Sequence, residues 1–152
     1  MREVNFHDLK SLVGTKIGTS DWWDIDQARI DKFAEATGDF QWIHVDPERA
    51  KESKFGNTIA HGYLTLSMLA GMRFKTFEVT GTSMGVNYGM NKVRFLTPVP
   101  SGSRTRATYE LTNVNERADG GLECTFTATV ELEGASRPAC IAETMSIFYP
   151  AA

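Results

Sequence analysis

The segment Ala60–Phe74 restricts the possible folds more than any other part of this chain. Leu64, Leu66, Met68, Leu69, Ala70 and Met72 leave a helix built from it almost no polar face. A helix that is apolar nearly all round cannot lie on a surface and must be wrapped by other structure. The wrapping has to come from the C-terminal half, where the pattern changes to strands. Leu122, Cys124, Phe126, Ala128, Val130 and Leu132 alternate with Glu123, Thr125, Thr127, Thr129 and Glu131, which predicts a strand over Leu122–Leu132 with one wet and one buried face. Ser103–Asn115 predicts its partner, and Ala118-Asp119-Gly120-Gly121 has the residues of a tight hairpin between them. Met84–Phe95 and Pro138–Tyr149 predict two further strands, with Pro98 and Pro100 where the first of these should end.

An antiparallel sheet curled around one long helix buries both the helix and the sheet's single apolar face. The expected class is therefore α+β, in the hot-dog arrangement. At 152 residues the chain is read as one domain spanning 1–152, large enough to bury roughly 70% of the surface its unfolded form exposes. Such a sheet in a single copy leaves an edge and a flank of the helix uncovered, which predicts a homodimer. The most apolar run, Tyr63–Met72, is about half the roughly twenty residues a membrane span needs. The start, Met1-Arg2-Glu3-Val4-Asn5, lacks the apolar core of a secretory signal, so a cytoplasmic location is expected. A net charge of −3 argues against nucleic acid as partner. Cys124 and Cys140 fall in strand-like segments and read as reduced core residues, and the three histidines have no metal-ligand spacing, so no metal is expected.

Upstream of the long helix, Lys16–Ile25 reads as a first strand. Asp26 then caps a helix with Ile30, Phe33 and Ala34 on its inner face, and Gly38 stops it. Asp46-Pro47 opens a short helix to about Glu52, and a loop through Phe55, Gly56 and Asn57 leads to the central helix. Between the first two helices lies Gly38-Asp39-Phe40-Gln41-Trp42-Ile43-His44. Residues five apart diverge on a helix by roughly 140° and face opposite sides of a strand, so only an irregular loop should join Asp39 and His44.

These residues carry a family resemblance. Phe33, Thr37-Gly38-Asp39, Ile43-His44 and Ala50 resemble the hydratase 2 signature of the MaoC-like family. Ile59-Ala60-His61-Gly62 resembles its entry to the central helix, and Lys92-Val93-Arg94-Phe95 with Pro98-Val99 its long following strand. Gln41 and Trp42 stand where the commonest pattern has Asn and Pro, as in the nodulation protein N-like branch, and Ala70 stands where the family has a serine. The resemblance covers roughly residues 16–149.

It implies reversible hydration of trans-2-enoyl-CoA to an (R)-3-hydroxyacyl thioester, with no cofactor. Asp39 and His44 would share one water molecule, suiting a reaction in which water loses a proton as C2 gains one. Which of the two is the base stays open. The Gly62 N–H, at the positive end of the central helix, would stabilise the thioester oxygen, with no side chain to hinder close approach. Gln41 and His61 are candidate substrate contacts. Lys92 and Arg94, two apart on a strand, share a face and are candidates for the phosphates of coenzyme A. The competing functions on this scaffold are an acyl-CoA thioesterase and a non-catalytic acyl-thioester binding module.

Overall fold

A computed structural model describes the whole chain, residues 1–152. Its backbone is a hot-dog: an antiparallel sheet wrapped on one long helix. In chain order the elements are β1 (Arg2–Asn5), a 3-10 helix (Phe6–Leu12), β2 (Thr15–Thr19), β3 (Trp23–Ile25), α1 (Gln27–Thr37), α2 (Trp42–Val45) and α3 (Pro47–Lys51). The central α4 (Gly62–Thr76) follows, then β4 (Phe77–Thr80), β5 (Thr82–Phe95), β6 (Ser103–Glu116), β7 (Leu122–Leu132) and β8 (Cys140–Pro150). The main sheet has the order β2-β6-β7-β8-β5, with β3 on β6 beside β2.

The strongest alternation in the sequence becomes the centre of this sheet. Cys124, Phe126, Ala128 and Val130 of β7 are all buried, as are Ala107, Tyr109 and Leu111 of β6. The hairpin between β6 and β7 closes through Arg117 N–H to Gly121 O at 3.0 Å, with Gly120 at φ 85° supplying the left-handed turn. Asp119 completes it by accepting the Gly121 N–H at 3.2 Å.

The helix is fastened to this sheet by more than packing. The Tyr109 hydroxyl donates to the Leu69 carbonyl at 2.6 Å, an interior hydrogen bond from sheet to helix. Phe77, just past the helix, packs its ring against Tyr109 and Phe126 at centroid distances of 5.7 and 5.5 Å.

The structure corrects the sequence reading in several places. The single early strand is two, broken at Ser20. Both the backbone N–H and the hydroxyl of that residue bond to Ala107, at 2.8 and 3.0 Å, and turn the chain between β2 and β3. The central helix begins at Gly62, two residues later than Ala60. Ala60 N–H is held by the Val99 carbonyl at 2.8 Å and Ile59 bridges to Pro100, so this stretch is extended. The 3-10 helix, β1 and β4 were not visible in the pattern. β1 and β4 pair in parallel, bringing Val4 and Val79 together among buried neighbours.

At the far edge of the sheet, β5 pairs only with β8. It is 14 residues long, with no fully buried residue. Met84, Tyr88, Met90 and Phe95 are exposed along it, and so are Tyr63 and Phe74 on the adjoining helix.

Candidate active site

Asp39 and His44 meet because the chain reverses between two helix ends. The Asp26 carboxylate caps α1 by accepting from Arg29 N–H at 2.8 Å. At the other end Gly38, at φ 79°, ends the helix and donates its N–H to Ala34 O at 2.8 Å. Asp39 follows at once, its carboxylate accepting from the Gln41 N–H at 3.3 Å. His44 sits on α2, a single turn of helix, where an irregular loop was expected. What brings it back toward Asp39 is the non-helical stretch from Gly38, left-handed at φ 79°, to Gln41, extended at ψ 134°, before that turn begins.

Two elements then fix the His44 ring. Its Nδ1 lies 2.7 Å from the Ile59 carbonyl. A carbonyl only accepts, so Nδ1 carries the proton and, in the neutral ring, Nε2 carries a free lone pair. The histidine is buried, with 6% of its surface exposed. Burial lowers its pKa from the ordinary 6.5; the Ile59 hydrogen bond pushes the other way, His61 lowers it further, and Asp39 raises it. The net shift is downward, favouring the uncharged ring that a proton acceptor requires.

Gln27, which no motif singled out, holds this turn in place. Its amide donates to the His44 carbonyl at 2.7 Å and to the Asp31 carboxylate at 2.8 Å, and accepts from the fully buried Thr58 hydroxyl at 2.5 Å. Only its position one residue after a helix cap hinted at an inward-facing polar group.

His61 stacks on His44, with ring centroids 3.9 Å apart and planes 25° from parallel. Its Nε2 donates to the Asp39 backbone carbonyl at 2.9 Å, so it anchors the loop that presents the Asp39 carboxylate. Its Nδ1 is buried without a hydrogen-bond partner. One donor atom from each of Asp39, His44 and His61 lies within 4.8 Å of the others. The near-parallel rings send their in-plane lone pairs side by side instead of converging them on one ion, which does not suit a metal.

A cavity of about 210 Å³ opens beside this cluster, and both His44 and Gly62 line it, with Ile59, Thr65, Phe95 and Val99. Gly62 begins α4, and the His61 side chain makes no capping bond there; Leu64 N–H bonds back to the His61 carbonyl at 3.0 Å, which leaves the Gly62 and Tyr63 N–H groups without a partner in the helix. The structure adds a packing reason for this glycine: a Cβ on it would lie 2.9 Å from the Phe95 ring.

The remaining candidates lie elsewhere. Gln41 is exposed; its backbone N–H meets Asp39, while its side chain makes no capping bond. Lys92 and Arg94 do share a face of β5, but it is the outer one, where they line a groove with Thr127, Ile141 and Glu143. Phe95, next in the strand, takes the inner position against Gly62.

Comparison with known proteins gives the family. Residues 8–133 match the MaoC like domain. The chain belongs to the MaoC-like dehydratase family. It is 50% identical over 138 residues to the 3-hydroxyacyl-thioester dehydratase Z of Mycobacterium tuberculosis, covering 91% of each chain. It is 46% identical over 149 residues to Nodulation protein N of Rhizobium leguminosarum bv. viciae, covering 97% of this chain and 92% of that one. Among solved structures it resembles the (R)-hydratase of A. caviae involved in PHA biosynthesis. The TM-score is 0.71 at 25% identity, over 88% of this chain and 94% of that one. This MaoC-like chain is accordingly a hydro-lyase, with (R)-hydratase or 3-hydroxyacyl-thioester dehydratase activity at the level of the family. No helix of it is long and apolar enough to cross a membrane.

Proposed function

We propose that this protein adds water reversibly to trans-2-enoyl-CoA, giving the (R)-3-hydroxyacyl thioester, with Asp39 and His44 as the catalytic pair. One observation carries the reading: the cavity wall holding the uncharged, Nε2-free His44 also holds Gly62 at the start of α4, with the Asp39 carboxylate beside the imidazole. His44 Nε2 takes a proton from water as the water oxygen bonds to C3. The C2–C3 π electrons move toward the thioester, and the charge on its oxygen is met by the Gly62 N–H. The proton is then delivered to C2, so the balance is one H and one OH added across the double bond. Asp39 orients the water and holds the pair of imidazoles near a negative charge.

The (R) outcome rests on the resemblance to the A. caviae enzyme, and a thioester substrate on that to the mycobacterial 3-hydroxyacyl-thioester dehydratase Z. The phosphates of coenzyme A can meet Lys92 and Arg94 only by crossing the edge at β5. A second copy of the chain, laid against the exposed face of β5 and α4, completes a homodimer. Size-exclusion chromatography with light scattering should give about twice 16.9 kDa; a monomer at micromolar concentration would count against it.

The test is loss of the conjugated enoyl-thioester absorbance with crotonyl-CoA and a longer enoyl-CoA, with free thiol measured in parallel. Hydration removes the absorbance and releases no thiol. Thiol release would mark a thioesterase, and binding without change in either signal a non-catalytic module.

A further inference from the structure

A second cavity, of about 310 Å³, lies farther along α4, between the helix and the strands β5 and β8, and the reaction described above makes no use of it. Its near part is walled by Leu66, Leu69 and Ala70, and its far part by Arg73, Asn87 and Ser146. Gly62, Leu66, Leu69 and Arg73 follow the spacing of one helix face. Arg73 therefore stands three turns beyond the Gly62 N–H, about 16 Å along the axis, on the same side.

Arg73 is an unusual residue to find there. It is half-buried. Its guanidinium lies over the rings of Phe74, Phe77 and Phe148 at 4.4, 5.6 and 5.6 Å. It takes part in none of the ion pairs of the molecule, which join other residues. Burial lowers its pKa, with neither a carboxylate nor a hydrogen bond among the opposing influences. An arginine stays charged even so, and aromatic faces hold the cation without consuming its donors. Ser146 points the same way: it is 5% exposed and lines the cavity, and its hydroxyl bonds to nothing else in the chain. A half-buried guanidinium with a fork of unused donors, an amide and a hydroxyl, gathered in one cavity beyond Leu66, Leu69 and Ala70, form a receptor for a carboxylate.

We propose that Arg73, with Asn87 and Ser146, binds a terminal carboxylate on the acyl chain, so that the preferred substrates are enoyl thioesters of dicarboxylic acids. This rests on the thioester being seated at Gly62, as the proposed hydration requires. Gly62 lines the first cavity and Arg73 the second, on one face of α4, so an acyl chain laid along that face from Gly62 leads to the guanidinium. The far end of a plain alkyl chain would desolvate the guanidinium and offer it nothing, whereas a carboxylate would meet it in a bidentate pair.

The experiment compares two saturated acyl-CoA ligands of equal chain length, one ending in methyl and one in carboxylate, by calorimetric titration of the whole protein. The corresponding enoyl-CoA pair is followed by absorbance. Wild type should favour the carboxylate form by at least about 10-fold in Kd and in kcat/KM. Arg73→Gln should abolish the preference while leaving the methyl-ended ligand within about 3-fold, and Arg73→Lys should keep part of it. Equal binding of the two ligands by wild type overturns the inference even if both enoyl forms are hydrated. A carboxylate preference that depends on Arg73 upholds it even if neither is hydrated, in which case the hydratase reading fails alone. If Arg73→Gln weakens both ligands equally and light scattering shows smaller particles, Arg73 belongs to a contact between copies and the proposal falls.

Discussion

Replacing Gln27 by Leu removes three hydrogen bonds at the point where α1, α2 and the segment before α4 meet. The amide nitrogen loses the His44 carbonyl and the Asp31 carboxylate, at 2.7 and 2.8 Å, and the amide oxygen loses the Thr58 hydroxyl, at 2.5 Å. Each bond contributes about 0.5–1.5 kcal/mol net. The Asp31 carboxylate can turn to solvent, since that residue is only half-buried. Thr58 is fully buried and has a second, weaker contact with Asn57 at 3.4 Å, so its hydroxyl is left nearly unsatisfied. The expected destabilisation is about 2–4 kcal/mol, read as a lower midpoint in urea at unchanged m. Activity should fall further than stability, because α2 is one turn long and its register sets where Nε2 of His44 points. A shift of about 1 Å in a catalytic group costs up to about 10²-fold, and it should fall on kcat more than on KM. Gln27→Glu, which keeps the acceptor for Thr58 but sets a carboxylate against the His44 carbonyl and Asp31, should recover only part of that stability. The reasoning is refuted if Gln27→Leu keeps wild-type kcat, or if its midpoint shift corresponds to less than about 1 kcal/mol.

Three further outcomes are expected. Asp39→Asn and His44→Ala should each lower turnover by at least about 10² with circular dichroism unchanged, and full activity in either would falsify the pair. The acid limb of kcat/KM should lie below pH 6.5, because burial lowers the His44 pKa. The same shift means that the unfolded chain binds this proton more readily, so the His44 contribution to stability is complete above pH 6.5 and declines as pH falls toward the lowered folded value. Urea midpoints that rise on acidification through that window, or that are unaffected by His44→Ala there, would contradict the sign. Gly62→Val places a side chain 2.9 Å from the Phe95 ring, which is exposed and can swing away. Turnover should therefore stay low for Gly62→Val in a Phe95→Ala background, since the branched side chain still screens the N–H; recovery in the double variant would assign the loss to the ring instead.

The fold was legible where one short-range rule applies to a whole element. The period-two run of β7, the turn residues Asp119–Gly121 and the all-apolar α4 each allow one reading, and each was seen. The hidden parts depend on partners distant in sequence. β1 is four residues whose burial is decided by β4, over seventy residues later. Alternation shows that Lys92 and Arg94 share a face but not which face; Phe95 decides that by filling the space left at Gly62. At the site, Asp39 and His44 stood out because two titratable groups follow closely on a helix-ending glycine. Gln27 did not, because a glutamine near a helix start has no pattern of its own until Thr58 and the His44 carbonyl are brought to it.

Two of the groups that define this site belong to no side chain. The Ile59 carbonyl fixes the proton on Nδ1 of His44, and the backbone of Gly62 lines the cavity at the start of α4. Side-chain scanning cannot delete either, so residue 59 can change identity across many aliphatic choices with the histidine tautomer preserved. The vulnerability lies in the route of the chain. Ile59 and Ala60 are held by Pro100 and Val99, and Thr58 by Ser101 through a 2.8 Å backbone bond. A single residue inserted or deleted between 97 and 101 would slide those main-chain groups past the imidazole and disable the chemistry with every side chain intact. Divergence in this protein is therefore cheap by substitution and costly by changes of length in one short connection that lines the same cavity.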